Sequence, residues 1–199
     1  MNIRTFASGS RGNAALVWQG GTYILVDAGI SLRRLEKSLA ELSVSVCQLS
    51  AILLTHEHTD HISGLPTLVK RYPQIPIVTS GGTARSVALR NRVTEVTQLE
   101  VGRTFEIGEL EVTSFETPHD VAESVGFTFF DGKRKLGYAT DLGHVSPIVK
   151  RALLGADTVL LESNHDRDML WYGAYPYKLK QRIAGLYGHL SNEDSGEFA

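Results

Sequence analysis

The hydrophobic pattern in the first half of the chain alternates between short strands and amphipathic helices. Apolar runs bounded by turn residues predict strands in IRTFAS, AALVWQG, TYILVDAG, LSAILLT and IPIVTS. Leucines at helical spacing predict a helix in SLRRLEKSLAEL, with Ser31 as its N-cap. Two more helices are predicted, in TARSVALRN and in ISGLPTLVKRYP, where the helix ends before Pro73.

From residue 93 to residue 140 the pattern favours β structure. FEIGELEVTSFET and SVGFTFFDGKRKLGYAT predict strands, and Asp131-Gly132 between apolar runs predicts a hairpin. Further on, SPIVKRALLG and PYKLKQRIAGLYG predict helices around a strand in DTVLLES, and we expect the polar tail SNEDSGEFA to fray. Two β-rich blocks, each followed by helices, predict an α/β (α+β) fold. In this fold two β-sheets pack against each other and the helices cover their outer faces. Without an internal linker or repeat, residues 1–199 are expected to form a single domain.

Composition narrows the classes of protein that fit this pattern. The chain has 199 residues, 42% of them hydrophobic, and a net charge of -2, which argues against a protein that passively coats nucleic acid. Cys47, the single cysteine, excludes an internal disulfide and is expected to be a core residue in a reducing compartment. The sequence has neither a signal-peptide pattern nor an apolar run of about 20 residues. We therefore expect a soluble cytoplasmic protein that does not enter membranes.

The stretch THEHTDH, residues 55 to 61, is the strongest chemical signal. It brings His56, His58, Asp60 and His61 together directly after an apolar strand, where ligand sites of α/β sheets form. Such a fixed pattern arises by chance roughly once in a few thousand chains of this composition. The alternative is a set of solvated or internally hydrogen-bonded polar residues. Imidazole and carboxylate groups together favour zinc or a similar transition metal.

The spacing within this stretch suits two metal ions better than one. His56 and His58 can point to one side of an extended loop, whereas Asp60 and His61 can turn towards a second ion at the start of the next helix. Further candidate ligands stand at strand ends or turns. They are His119 in ETPHD, Asp141 in ATDLG and His189 in GHLSN.

The order and separation of these residues resemble the metallo-β-lactamase-fold hydrolases along almost the whole chain. The resemblance implies a four-layer αβ/βα sandwich with a site for two divalent ions, zinc or manganese, at one edge of the sheets. The implied ligands are His56, His58 and His119 for one ion, Asp60, His61 and His189 for the other, and Asp141 as the bridge. Asp27 is implied to support the histidine loop through hydrogen bonds.

A narrower resemblance is to the bacterial YycJ/WalJ group, which is related to ribonuclease Z and to cyclic phosphodiesterases. It depends on SGSRGN, ATDLGHVS, LLESNHD and YPYKLKQRIAGLYGHLSN. The resemblance implies a 5′-to-3′ exonuclease of double-stranded DNA that acts in DNA repair. Members of the group continue well beyond GHLSN, whereas this chain stops ten residues after His189. It is expected to be a truncated form or a naturally short relative, lacking structure near the metal site.

Several other residues are candidates for catalysis. Two bridged cations can hold a hydroxide, and Asp60 could orient this nucleophile. His165 in ESNHD is the candidate acid for the leaving oxygen, with a surface or N-capping role as the alternative. Ser8 and Asn13 of SGSRGN could contact a phosphate, although a plain hairpin turn explains the same residues.

The remaining candidates concern substrate binding and local structure. Lys178, Lys180 and Arg182 could grip a nucleic-acid backbone, and a solvated helix face is the alternative. His144 is expected to cap or pack the helix that follows it. Asp120 and Glu162 are expected to form local hydrogen bonds.

The ligand pattern therefore predicts a dinuclear metal-dependent hydrolase, and the resemblance implies a phosphodiesterase that acts as a DNA exonuclease. A hydrolase of small esters, such as a thioester, lactone or β-lactam, is the first alternative, because the same centre activates water for either class. A non-catalytic metal-binding regulatory module is the second. GHLSN and SGSRGN favour nucleic acid, and the pI of about 6.4 mildly opposes it. The oligomeric state stays open, a dimer included.

Overall fold

Two mixed β-sheets carry the strands of the protein, and helices connect them. The computed structural model describes residues 1–91, 93 and 95–199. In the first half of the chain the elements are β1 (Asn2–Ala7), β2 (Ala14–Gln19), β3 (Thr22–Val26), α1 (Leu32–Ala40), β4 (Ala51–Leu53), α2 (Thr59–Ile62), α3 (Leu65–Arg71), β5 (Ile77–Thr79), α4 (Gly81–Asn91) and β6 (Thr97–Gln98). In the second half they are β7 (Thr104–Ile107), β8 (Leu110–Glu116), β9 (Val125–Phe130), β10 (Lys135–Ala139), α5 (Pro147–Leu153), β11 (Thr158–Leu161), α6 (Arg167–Tyr172), α7 (Tyr177–Ile183) and α8 (Asn192–Phe198).

The connections between strands explain their directions in each sheet. In the first sheet, of order β1-β2-β3-β4-β5-β6, the strands β1 to β3 are antiparallel neighbours joined by turns. The strands β3 to β6 are parallel, because parallel neighbours need a crossover and helices supply it. The second sheet has the order β11-β10-β9-β8-β7. Its strands β7 to β10 form an antiparallel meander, and β11, which is connected to β10 through α5, pairs with β10 in parallel.

Three apolar clusters hold the layers together. Between the sheets, Val17 and Ile24 pack in one cluster with Phe127 and Phe129. Outside the first sheet, leucines of α1 and α3 pack against the strands, and outside the second, α5 covers β8 and β10. The predicted four-layer αβ/βα sandwich is confirmed.

The helix predicted in ISGLPTLVKRYP is α3, which begins at Leu65, and a separate short helix, α2, precedes it and shares only Ile62 with the predicted segment. Gly64 lies between the two helices because the backbone of another loop comes very close: a Cβ there would lie 1.9 Å from the carbonyl oxygen of Ile30. Pro66 in the first turn of α3 suits a new helix start. Asp60 and His61 therefore lie on their own short helix, α2, whose N-cap is His58.

Two expectations about local structure are wrong. The tail forms α8, because the Ser191 side chain accepts the backbone N–H of Asp194 at 3.1 Å and Phe198 packs against the apolar cluster beside α5. Cys47 is exposed on the short 3-10 helix Val46–Gln48, where Val46 and the following Leu49 take the buried positions. Across the described residues, no helix combines the length and the apolarity that a bilayer crossing requires.

Candidate metal centre

Loops from both sheets meet at one end of the sandwich and bring polar side chains together there. Each loop leaves the carboxyl end of a strand: Asp27 after β3, Thr55 to His61 after β4, His119 after β8, Asp141 after β10 and Glu162 after β11. Backbone hydrogen bonds join the loops, from Val125 to the Thr55 carbonyl at 3.0 Å and from Gly143 to the Pro118 carbonyl at 2.9 Å. The site is thus built from both sheets.

The first group of potential ligands is His56, His58 and His119. One nitrogen from each ring lies within 4.8 Å of the other two. The Nδ1–H of His119 donates to the Gly188 carbonyl at 3.0 Å, which turns its Nε2 inward to 3.2 Å from Nδ1 of His58. The Nε2 atom of His56 is buried and has no hydrogen-bond partner among the described residues. These three nitrogens can bind one metal ion.

The electrostatics of this group keep its rings neutral. Burial, reinforced by neighbouring histidines, lowers the pKa of His56 well below its usual value and also lowers the pKa of His58. Burial likewise lowers the pKa of His119, although Asp141 opposes the shift. Metal binding requires neutral imidazole, so the group needs little proton release before it can bind.

A second group contains His56, His61 and Asp141. Nε2 of His61 lies 3.1 Å from Oδ2 of Asp141, and Nδ1 of His61 donates to Asp27 at 2.8 Å. Asp27 also accepts the backbone N–H of Thr55 at 2.8 Å, so it supports both ends of the histidine loop.

Asp27 and Asp141 have φ angles of 61° and 56°. This left-handed conformation is less favourable for aspartate than for glycine, and residues held in it often cluster at active sites. Burial lowers the pKa of His61, but the charges of Asp27 and Asp141 outweigh it and raise that pKa well above the usual value. The hydrogen bond from His61 and its charge outweigh burial at Asp141 and hold the pKa of its carboxyl well below the usual range.

His189 groups with His119 and Asp141. Its Nδ1 lies 3.3 Å from Oδ1 of Asp141 and donates to Glu162 at 2.7 Å. Burial lowers the pKa of His189, but Glu162 outweighs it and raises that pKa. The two carboxylate oxygens of Asp141 therefore face different histidines. Among the described residues, no three-ligand group contains both His189 and His61.

Asp60 is less buried than the other implied ligands and faces a cavity. Its Oδ2 accepts a hydrogen bond from Asn13 at 3.0 Å and lies 3.7 Å from Nε2 of His61. The cavity, of about 450 Å³, is also lined by Ser8, Asn13, Asp141 and His189. The turn SGSRGN thus borders the site, and its Asn13 side chain holds a carboxylate there.

The basic residues of α7 lie beside the first group. Arg182 binds Asp120 through two hydrogen bonds, at 2.5 and 3.1 Å, and Oδ1 of Asp120 is 3.6 Å from Nε2 of His119. Lys180 donates to the Trp171 carbonyl at 2.7 Å. Lys178 is exposed on the same helix. Asp120 is thus a hydrogen-bonding residue, but its partner comes from 62 positions further along the chain.

The last two histidines lie outside the ligand groups formed by the described residues. His165 forms a β-bridge with Ser191 and lines a separate depression with Met169 and Tyr175, so its role as an acid stays a prediction. His144 was expected to cap or pack the next helix, and the capping part is wrong: Ser146 is the N-cap of α5, and Nδ1 of His144 donates to the Leu186 carbonyl at 2.9 Å.

Two buried glutamates have a larger structural role than the sequence suggested. Glu57 accepts the Ala122 N–H at 3.1 Å and hydroxyls of Thr83 and Ser86, so it joins the histidine loop to the His119 loop and to α4. Glu162 accepts hydrogen bonds from His189 and from the backbone N–H groups of Leu142 and Leu190 at 2.8 and 3.2 Å. A charged residue directly after an apolar strand is the signal that could have identified Glu162.

The family to which the chain belongs follows from comparison with known proteins. The model of the β-lactamase superfamily domain matches residues 22–198, so the chain is a member of this superfamily. It is 37% identical over 198 residues to the exodeoxyribonuclease YycJ of Bacillus anthracis, covering 98% of this chain and 75% of that protein. It is 35% identical over 196 residues to the exodeoxyribonuclease WalJ of Streptococcus pneumoniae D39, covering 96% and 72%.

A solved structure agrees with this assignment at the level of the fold. The chain aligns with Zn²⁺-bound PqqB from Methylobacterium extorquens at a TM-score of 0.71 and 24% identity, covering 92% of this chain and 71% of that one. The resemblances to the metallo-β-lactamase superfamily and to the YycJ/WalJ group are confirmed.

Proposed function

We propose that the protein is a metal-dependent phosphodiesterase that degrades DNA as an exonuclease, with double-stranded DNA attacked in the 5′-to-3′ direction. The observation that carries the proposal is a cluster of His and Asp side chains in a chain 37% identical to an exodeoxyribonuclease over 98% of its length. A small-ester hydrolase would use the same centre, and nothing in the cavity favours it.

The donor set fits two divalent ions. A buried, neutral imidazole whose Nε2 lacks a partner among the described residues, as in His56, is suited to a metal. We propose that His56, His58 and His119 hold one ion, that Asp60 and His61 hold the other with His189 completing the centre, and that Asp141 lies between them. Zinc and manganese both suit such nitrogen and oxygen ligands. When bound, two ions would lower the pKa of a water molecule to about 7 and neutralise phosphate oxygens.

The chain's own residues position the reaction. Asp27 holds Nδ1 of His61 and thereby directs Nε2 towards Asp141. Asn13 fixes the carboxylate of Asp60 at the cavity, where it can orient a water molecule for attack on phosphorus. Ser8 and the backbone of the same turn are available for a phosphate oxygen. His165 remains our proposal for the acid that protonates the leaving oxygen.

The test uses the full chain loaded with zinc or manganese and duplex DNA labelled at the 5′ or the 3′ end. We expect nucleotides to be released from 5′ ends, the activity to be abolished by EDTA, and an Asp141→Asn variant to be inactive although folded. Bis-p-nitrophenyl phosphate, a thioester and a β-lactam are assayed in parallel. Turnover of only the carbon esters would reject the proposal. Metal content without turnover of any substrate would indicate a regulatory module.

A further inference from the structure

An unusual set of exposed aromatic side chains lies between α6 and His189. Four of the seven tyrosines and one of the two tryptophans of the chain lie between residues 169 and 188. Each is exposed, from 43% for Trp171 to 88% for Tyr172. We call Trp171, Tyr172, Tyr175, Tyr177 and Tyr187 the aromatic surface. Large exposed apolar groups in one segment mark an interaction site.

The first part of the aromatic surface is held in place by contacts between α6 and α7. The ring centroids of Trp171 and Tyr177 are 6.2 Å apart with their planes inclined by 46°, within the range of favourable aromatic pairs. Lys180 of α7 donates to the Trp171 carbonyl at 2.7 Å. Helix α7 has no fully buried residue, and its exposed residues, Tyr177, Lys178, Gln181 and Arg182, are accessible to a partner.

One residue of the aromatic surface, Tyr187, lies beside the candidate metal centre. Tyr187 lines the same depression as His119, and Arg182 at the end of α7 binds Asp120, whose carboxylate lies 3.6 Å from His119. Helix α7 has seven residues and is therefore about 10 Å long. Tyr177 begins this short helix and Arg182 lies near its other end, so the pair Trp171 and Tyr177 lies at the end of α7 opposite to the one that contacts Asp120.

The charge of this segment indicates the kind of partner. Residues 169–188 contain Lys178, Lys180 and Arg182 and no aspartate or glutamate, in a chain whose net charge is -2. Asp120 from another loop pairs with Arg182, so the positive charge offered to a partner is chiefly that of Lys178 and Lys180. Exposed aromatic rings interleaved with basic side chains are typical of surfaces that bind single-stranded nucleic acid, where bases stack on the rings and phosphates contact the cations. In a duplex the faces of the bases are covered by neighbouring pairs, so the rings cannot stack on them.

We propose that the aromatic surface and the basic residues of α7 bind an unpaired strand of DNA that leads into the metal centre. This inference extends the proposed nuclease function, because it makes a single-stranded segment next to the scissile bond part of the substrate. A duplex would be degraded from an end that is frayed or has an overhang. A protein partner or a second copy of this chain are the competing occupants, since tryptophan, tyrosine and arginine also dominate protein interfaces.

The test measures binding without turnover. Fluorescence anisotropy follows a fluorescein-labelled oligothymidylate of about 12 nucleotides and a blunt hairpin duplex, both in EDTA. We expect the wild type to bind the single strand more tightly than the duplex. The double variant Trp171→Ala/Tyr177→Ala is expected to bind the single strand at least about tenfold more weakly. The variant Trp171→Phe, which keeps an aromatic ring, is expected to retain most of the affinity.

Salt dependence separates the basic residues from the aromatic ones. The variant Lys178→Ala, which leaves the bond from Lys180 to the Trp171 carbonyl in place, is expected to lower the slope of log K against log[salt] by about 0.7, whereas the aromatic double variant leaves it unchanged. The matched controls are Phe130→Ala and Lys133→Ala, which remove an exposed aromatic and an exposed basic residue near the β9–β10 hairpin. Both are expected to bind like the wild type.

Several outcomes would overturn the inference. Equal binding by folded aromatic variants would do so, as would tighter binding of the duplex than of the single strand. A wild-type dimer in sedimentation that the aromatic substitutions dissociate, with DNA binding unchanged, would assign the surface to a second copy. Hydrolysis of bis-p-nitrophenyl phosphate by the metal-loaded wild type tests the metal centre separately. If the metal-loaded wild type does not hydrolyse this ester but still binds the single strand, the proposed function is rejected and this inference is not.

Discussion

At the scale of single residues, Asp27 shows how a side chain outside the proposed ligands can control the site. It is fully buried, has a positive φ, and accepts hydrogen bonds from Thr55 and His61. The variant Asp27→Asn keeps the size of the side chain but removes its charge. We expect affinity for the second ion to fall about 10- to 100-fold, and affinity for the ion on His56, His58 and His119 to change less. Chelator competition measures both; an equal loss at the two sites would contradict the expectation.

His189 can be tested by separating metal content from turnover. Its Nδ1 is held by Glu162, and the ring lies beside Asp141 and His119 rather than beside His61. If His189 is a ligand, His189→Ala binds fewer than two ions per chain after dialysis, as measured by elemental analysis. Lys133→Ala, on the exposed β9–β10 turn, is the control. Two retained ions together with lost turnover would mean that His189 acts on the substrate and is not a ligand.

At the scale of elements, the sequence was most informative where the pattern is local. The strand periodicity and the Ser31 cap predicted β1 to β5 and α1, because an N-cap and an apolar face depend on neighbouring residues. The division between α2 and α3 was missed. Its cause is the backbone of Ile30, distant in sequence from Gly64, and no local pattern reports such an approach. Helix α8 was not predicted, because the polar composition of its residues indicated a frayed tail and this was given more weight than Ser191 as a possible N-cap.

The close approach at Gly64 makes a prediction about stability. In Gly64→Ala the new Cβ would collide with the carbonyl oxygen of Ile30, so Ile30 or the start of α3 must shift. We expect the free energy of unfolding of the metal-free protein to fall by about 1–3 kcal/mol, measured by urea denaturation. The matched control is Gly196→Ala in α8, where nothing lies within 4 Å of the new Cβ. Helix propensity predicts an unchanged or slightly higher stability for the control. Equal stability of Gly64→Ala and the wild type would contradict the predicted collision.

At the scale of the whole molecule, the site could be predicted from sequence as a set of residues but not as an arrangement. The spacing in THEHTDH identified four polar residues of one loop. Positions at predicted strand ends or turns added His119, Asp141 and His189, and the resemblance assigned each of these residues to an ion. Which atoms face each other depends on how the two sheets pack. The local sequence pattern does not encode this packing. The pairing of Glu162 with His189 and the bond between Glu57 and Ala122 are such long-range outcomes.

The packing of both sheets around one centre also produces two groups of histidines with opposite electrostatics. Burial lowers the pKa of His56, His58 and His119, so at pH 6.5 these rings are mostly neutral. At His61 and His189 burial is outweighed by carboxylates, chiefly Asp27 and Glu162, which raise the pKa, so at the same pH these rings are mostly protonated. A metal can bind a histidine nitrogen only after its proton has left.

Metal binding should therefore release protons unevenly. At pH 6.5 we expect the ion on His56, His58 and His119 to bind with little proton release, whereas the ion on His61 displaces protons from His61 and His189. Raising the pH from 6.5 through the raised pKa values should strengthen binding of the second ion and leave the first nearly unchanged, since the first group has already lost its protons. Isothermal titration calorimetry with zinc in two buffers of different ionisation enthalpy measures the protons released at each step. The variant Asp27→Asn removes the carboxylate that favours protonated His61, so it should release fewer protons at the second step than the wild type does. Equal proton release at both steps in the wild type would contradict the division of the histidines into two groups.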